Sequence, residues 1–364
     1  MELIVLKSEF LKAITEASRF VSTRSQLPVL NNIVLRAHGV SLGIEATNLE
    51  MSISTKVGAN IKNEGEIAVP ARTLCELVGS LDAETLQFLT EGEVLKITTS
   101  GFSGRIAGVN VSDFPEVLGE LPEGSVSIPS GDLSQIIKLL AFSVSTDSTR
   151  VVLTGLLIQN NKVGTTFVTT DGFRLSKFEK EKINLGAFPQ IIVPKTILSE
   201  VLKISAHSEE VRFSYSEAQN QVIFGIGNYT LASRVIDGAF PDYKRIIPDS
   251  SSTEIVVSRR ELMSAVKTAS VFARESANSV SFVAAGDTLK IASESIQGKQ
   301  EIVVDGRVRG EDLEILFNYR FIEDFLGAAP GETIKIKLGT ASSPSVFLDE
   351  SVPSYLHLIM PVRG

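Results

Sequence analysis

Cys75 is the sole cysteine among 364 residues, so the chain can form no internal disulfide and offers no thiolate set for zinc. That fits a reducing compartment. Histidine is scarce too: His38, His207 and His357 fall one to each third of the chain, lack the spacing of metal ligands, and read as surface or loop residues. A Walker-type glycine loop, paired dinucleotide glycines after a strand and a His-Glu-x-x-His segment are all missing, so no enzyme class announces itself. The apolar runs stop well short of the roughly 18–20 residues of a membrane span, and the one at the start, Met1 to Leu6, is closed by Lys7. The expected location is the cytoplasm. Nor is there a polybasic tail: 35 Lys and Arg against 43 Asp and Glu leave a net charge of -8, which argues against gripping nucleic acid by bulk charge. A nucleic-acid partner would have to be met by the local distribution of charge.

What is present is a repeat. With 43% apolar residues the chain can bury two or three separate cores. Three amphipathic segments begin at Val69, Val193 and Phe317, 124 residues apart each time, a period suited to a domain. Pro70 and Pro194 force an extended residue before them, so a strand is predicted to run straight into a helix. A second triplet aligns Phe10, Leu133 and Leu262, each followed three and four positions on by an apolar pair, as in a one-sided helix. Alternating patterns such as Ser41 to Ala46, Val94 to Thr98, Val211 to Tyr215 and Ile334 to Leu338 read as strands. The predicted fold class is α+β, three similar domains over 1–122, 123–250 and 251–364, each with two helices packed on antiparallel sheet. Two boundaries follow the pairs Phe114-Pro115 and Phe240-Pro241.

Four segments at the right separations, Leu27-Pro-Val-Leu30, Thr169-Thr-Asp-Gly-Phe-Arg-Leu175, Asp237-Gly-Ala-Phe-Pro-Asp-Tyr-Lys-Arg-Ile246 and Leu358-Ile-Met-Pro-Val-Arg363, resemble the bacterial DNA sliding clamp, the beta subunit of DNA polymerase III. The resemblance spans the chain. It implies a non-catalytic processivity factor, a head-to-tail homodimeric ring around duplex DNA, with no cofactor and no metal. The implied partners are the polymerase III catalytic subunit, the clamp loader, and other polymerases and repair proteins that carry a clamp-binding peptide. That peptide, with a Gln and a Leu-Phe-like end, is expected between the second and third domains. Its deep subsite would comprise Leu153, Thr170, Gly172, Phe173, Arg174, Leu175, Pro241, Arg245, Ile246, Leu358, Ile359 and Met360. Its shallower one would use Asn318, Phe321, Ser345, Pro361, Val362 and Arg363. Arg174 and Arg245 are expected as walls whose stems cover apolar surface.

By the same resemblance Arg24, Arg72 and Lys195 face DNA, and Ile106, on an edge strand, meets Val271 and Phe272 of a second copy. Valines stand at 151 and 152, where relatives carry aromatic residues that touch DNA. Phe173 and Phe321 replace a common histidine and a common tyrosine, and the terminal Gly364 also departs from the usual pattern. Plainer readings stand beside these. Arg24, Arg72 and Lys195 suit a solvated surface, Phe272 a core, and Leu358 to Met360 a buried last strand. Asp171-Gly172 reads as a turn, the dipeptide favoured where φ turns positive. Two rival functions stay open, an enzyme using Asp171 or Arg174 in a cleft and a monomeric peptide-binding adaptor.

Overall fold

The computed structural model describes residues 1–22, 27–162, 164–181, 183–186, 188 and 190–362. Among the described residues six α-helices each start at the residue after a strand ends: α1 (Lys7–Ala17), α2 (Ala71–Ser80), α3 (Ser130–Leu140), α4 (Lys195–Ile204), α5 (Arg259–Ala273) and α6 (Tyr319–Ala328). The predicted segments from Val69, Val193 and Phe317 enter helix two residues in every time. Before α2, α3 and α4 the strand ends on Pro70, Pro129 and Pro194. Proline fixes φ and has no N–H to offer, so a ladder can stop there and a helix begin. Ser258 and Asn318 do the same work before α5 and α6 by accepting the N–H of Glu261 at 3.5 Å and of Arg320 at 3.1 Å.

The chain folds into two compact units, Met1–Leu133 with Thr196–Val235, and Ser134–Lys195 with Ile236–Gly364. In the first unit, strand Glu2–Leu6 buries Leu3 and Val5 and turns Ile4 and Leu6 outward. Helix α1 lays Phe10, Ala13, Ile14 and Ala17 inward, and Phe10 meets Phe88 edge-on at 4.9 Å. Each fully buried side chain of that size contributes about 1.5–3 kcal/mol. The long strand Met51–Asn63 pairs with Glu2–Leu6 along one half and with Tyr229–Arg234 along the other. The resulting twelve-stranded sheet carries the first repeat into the last strands of the second.

The second unit is built the same way. Strand Arg174–Glu181 pairs with Gly164–Thr170 on one side and with Tyr355–Ile359 on the other. A nine-stranded sheet results, beside a four-stranded sheet under α5 that runs from Gly298–Val304 at one edge to Leu313–Asn318 at the other. All of these ladders are antiparallel, as predicted for the α+β class. Continuous ladders thus cross the sequence repeat, and the compact units differ from its thirds. No helix among the described residues is long and apolar enough to cross a membrane.

One histidine departs from the sequence reading. His38 and His207 are exposed, but His357 is completely buried in strand Tyr355–Ile359, stacked on Phe325 at 5.2 Å and bonded through Nδ1 to Ser176 Oγ at 2.8 Å. Burial, and secondarily the charge of Arg174, holds its pKa well below the usual imidazole range. In the unfolded chain the same ring titrates near 6.5. Below that pH the unfolded state binds a proton that the folded state refuses, so stability falls with falling pH by up to about 1.4 kcal/mol per unit. Urea titrations from pH 7 to pH 5 should show this slope, and His357→Gln should flatten it. An unchanged slope in the variant would assign the acid sensitivity elsewhere.

Candidate functional site

Strands Gly164–Thr170 and Arg174–Glu181 are joined by a turn that its own side chains tie down. Asp171 Oδ1 accepts the N–H of Phe173 at 2.9 Å and of Arg174 at 3.0 Å. Thr170 Oγ1 accepts from Gly172 N at 3.0 Å and donates to Arg174 O at 2.6 Å. Gly172 has φ +92°, which confirms the turn reading of Asp171-Gly172. Phe173 is thereby pushed outward, 58% exposed.

Arg174 turns the other way. Its side chain is only 10% exposed. Nε donates to Asp171 Oδ2 at 3.0 Å, Nη1 to Asp324 Oδ2 at 2.6 Å and Nη2 to the Phe142 carbonyl at 2.7 Å. The guanidinium carbon lies 4.6 Å from the Phe321 ring centre and 5.4 Å from that of Phe142. The expected wall is therefore a junction of the turn, α6 and the short segment just after α3. Arg245, expected as a wall of the deep subsite, instead stands exposed at the rim and pairs with Asp242 at 2.8 Å.

Behind the turn lies an apolar floor of Leu157, Val168, Leu175, Ile192, Tyr243 and Leu358. Half-buried Val152, Ile236, Phe240, Ile247, Leu356 and Met360 pack over it. Leu153 and Thr170 are buried, whereas Pro241 and Ile246 are exposed. The terminal segment combines a buried last strand with a half-exposed end. As the last strand, Leu358 and Ile359 are fully buried, paired with Leu175 and Arg174 on one side and with Val346 and Ser345 on the other. Beyond the strand Met360 N donates to Phe173 O at 2.9 Å and Val362 N to Leu316 O at 2.8 Å, which leaves Met360, Pro361 and Val362 half-exposed. Strand alternation turns Ile359 to the same side as His357, away from the floor. Ile359 and the fully buried Ser345 therefore cannot meet a ligand directly.

Sequence reasoning missed Tyr243, Phe240 and Ile247, which a closer look at the apolar spacing after Phe240-Pro241 would have offered. It also missed Arg150, whose Nη1 lies 2.8 Å from where a side chain on Gly172 would begin. At the shallower end Asn318 caps α6 and Phe321 covers Arg174. Arg363, like Arg24, lies outside the described residues. Val152 belongs to the floor's cover and Val151 is exposed.

The same frame occurs once more. In the first unit Thr47 Oγ1 accepts from Leu49 N at 3.0 Å, and Asn48 Oδ1 accepts from Glu50 N at 3.0 Å and Met51 N at 2.9 Å. Arg234 N then donates to Glu50 O at 2.9 Å, as Met360 N does to Phe173 O. Leu49 holds φ +76° where the other turn has glycine, and Arg234 stands where the other has Met360. The cavity there is small, about 150 Å³, and its rim carries Glu50, Glu116 and Arg234. Only the second unit joins this frame to an exposed aromatic and a half-buried methionine.

Elsewhere, every helix shows an exposed cation: Lys12, Arg72, Lys138, Lys203, Lys267 and Arg320. Arg72 pairs with Glu76 at 2.7 Å, and Lys195, at the start of α4, is half-buried. The strand of Ile106, Ser103–Ala107, is the edge of its sheet, but Ile106 itself is 4% exposed and faces the core opposite Leu95. Arg105 and Ala107 face outward instead. Val271 is 61% exposed at the end of α5, and Phe272 packs over Gly298 in the edge strand Gly298–Val304. No metal-binding cluster of His, Cys, Asp or Glu occurs among the described residues.

Sequence models of the DNA polymerase III beta subunit match the chain in three consecutive stretches, the N-terminal domain over 1–118, the central domain over 127–242 and the C-terminal domain over 244–363. The chain is 29% identical to the beta sliding clamp of Caulobacter vibrioides over 375 residues, covering 100% of both. It is similar to the sliding clamp structure from Bacillus subtilis, with TM-score 0.95 and 26% identity over 100% of this chain and 99% of that one. A C. crescentus beta sliding clamp, described with polyethylene glycol at a proposed beta-motif tethering region, matches with TM-score 0.94 and 28% identity over 100% and 99% of the two chains.

Proposed function

The chain belongs to the DNA polymerase III beta subunit family, and on that footing we propose that it is a sliding clamp that encircles duplex DNA and tethers polymerases and repair proteins by their peptides. The observation that carries this reading is the apolar floor of Leu175, Tyr243 and Leu358 beneath half-buried Met360, with Phe173 exposed on its rim. A short peptide draws most of its affinity from a few apolar anchors in such a desolvated place. Three domains over 1–122, 123–250 and 251–364, two chains to a ring, leave the edges Ser103–Ala107 and Gly298–Val304 to join head to tail. The net charge of -8 suits a ring that holds DNA by closure, with scattered helix cations giving weak, sequence-independent contact.

The test is topological. A dimer of the 39.3 kDa chain loaded on nicked circular DNA should stay bound in salt that frees it from short linear duplex, and should leave once the circle is cut. The double variant Ala107→Asp, Val271→Asp, at outward-facing positions, should yield folded monomers that are not retained. A dimer undisturbed by both changes at micromolar concentration would overturn the interface, and retention after cutting would overturn encirclement.

A further inference from the structure

Val362, the last described residue, borders a trench on the outer face of the four-stranded sheet. Two cavities of about 380 and 450 Å³ lie there, and both are bordered by Glu314, Leu316 and Val362. The floor is low where two small residues, Ser281 and Ala292, stand in register beside Leu316. The carboxylates around it differ in one respect. Glu294 is paired with Lys299 at 3.4 Å and Glu301 with Lys290 at 2.8 Å. Glu314 instead accepts a hydrogen bond from the buried Ser281 hydroxyl at 2.6 Å and has no cationic partner among the described residues.

We propose that this trench extends the docking site and takes the residues of a partner peptide upstream of its Gln, with a Lys or Arg side chain meeting Glu314. The inference rests on the docking reading above, which puts the Leu-Phe end of the peptide over Leu175 and Leu358 and so points its N-terminal flank past Val362. An extended segment advances about 3.3 Å per residue and strands lie about 4.8 Å apart, so four or five residues cross the sheet. Glu314 is held by Ser281 before a ligand arrives and needs little ordering to receive a cation.

Three peptides test it by titration: the Gln-to-Leu-Phe core alone, the core with five upstream residues including Arg, and the same extension with Glu in place of Arg. In the unaltered protein the Arg extension should bind about fivefold tighter than the core, as one partly exposed charge pair allows, and the Glu extension should not. Glu314→Gln and Ala292→Leu, which removes the charge and fills the floor respectively, should each abolish that gain and leave core binding unchanged. Equal binding of core and Arg extension, or a gain that survives Glu314→Gln, overturns the trench and leaves the docking site standing. Failure of the core peptide to bind the unaltered protein overturns the docking reading and the trench with it.

Discussion

Arg174→Ala is expected to cost the fold about 2–4 kcal/mol and to abolish peptide binding, a larger loss than any rim substitution. The guanidinium satisfies Asp171, Asp324 and the Phe142 carbonyl at once and fills the space between the rings of Phe142 and Phe321. Alanine leaves a mostly buried carboxylate and a carbonyl without their donor and opens a void between two aromatic rings. Asp324 is half-exposed and will recover water, which keeps the loss below that of a fully buried pair. Lysine should restore little, because one ammonium cannot reach three acceptors in a plane. Arg245→Ala, at a side chain 85% exposed and paired only on the surface, should cost under about 0.5 kcal/mol. Chemical denaturation of the three variants decides it. Comparable small losses at 174 and 245 would return Arg174 to the status of a covering stem.

How far the sequence could be read depended on whether the signal was local. The helix starts were legible because a strand, a proline and an amphipathic stretch recur in fixed order, and the chain obeys them at Ala71 and Lys195 alike. Asp171-Gly172 was legible as a turn for the same reason. Ile106 was not: Ser-Gly-Arg-Ile-Ala marks an edge strand, but one apolar residue does not say whether core or solvent lies on its side. His357 and Arg174 were misjudged because what covers them, Phe142 and Phe325 for one and Phe142 and Phe321 for the other, comes from distant stretches of chain. The repeat also could not say which copy of the turn would form the pocket. Thr47 to Met51 folds like Thr170 to Arg174, but Leu49 replaces Gly172 and Arg234 replaces Met360, and these two residues rather than the backbone separate the sites.

Met360→Ala and deletion of residues 358–364 are expected to part company, although both remove the same methionine. Met360 lies beyond the last strand and is half-exposed over the floor, so its truncation should weaken a Gln and Leu-Phe peptide by about 1–3 kcal/mol while fold and dimer persist. The deletion also takes Leu358 and Ile359, both fully buried, and with them the end of the ladder to Arg174–Glu181 and to Ser345–Asp349. Losing two core side chains and that pairing should cost on the order of 5 kcal/mol or more, enough to unfold the second unit. A dimeric ring would not survive it, because the strand that frames the pocket also closes the sheet. Peptide titration must therefore use Met360→Ala, with dimer mass and denaturation midpoint measured on the same sample. Unchanged affinity in an intact dimer would mean that the terminal segment serves only the core, whereas a stable, dimeric deletion would show that the last strand contributes far less than its burial implies.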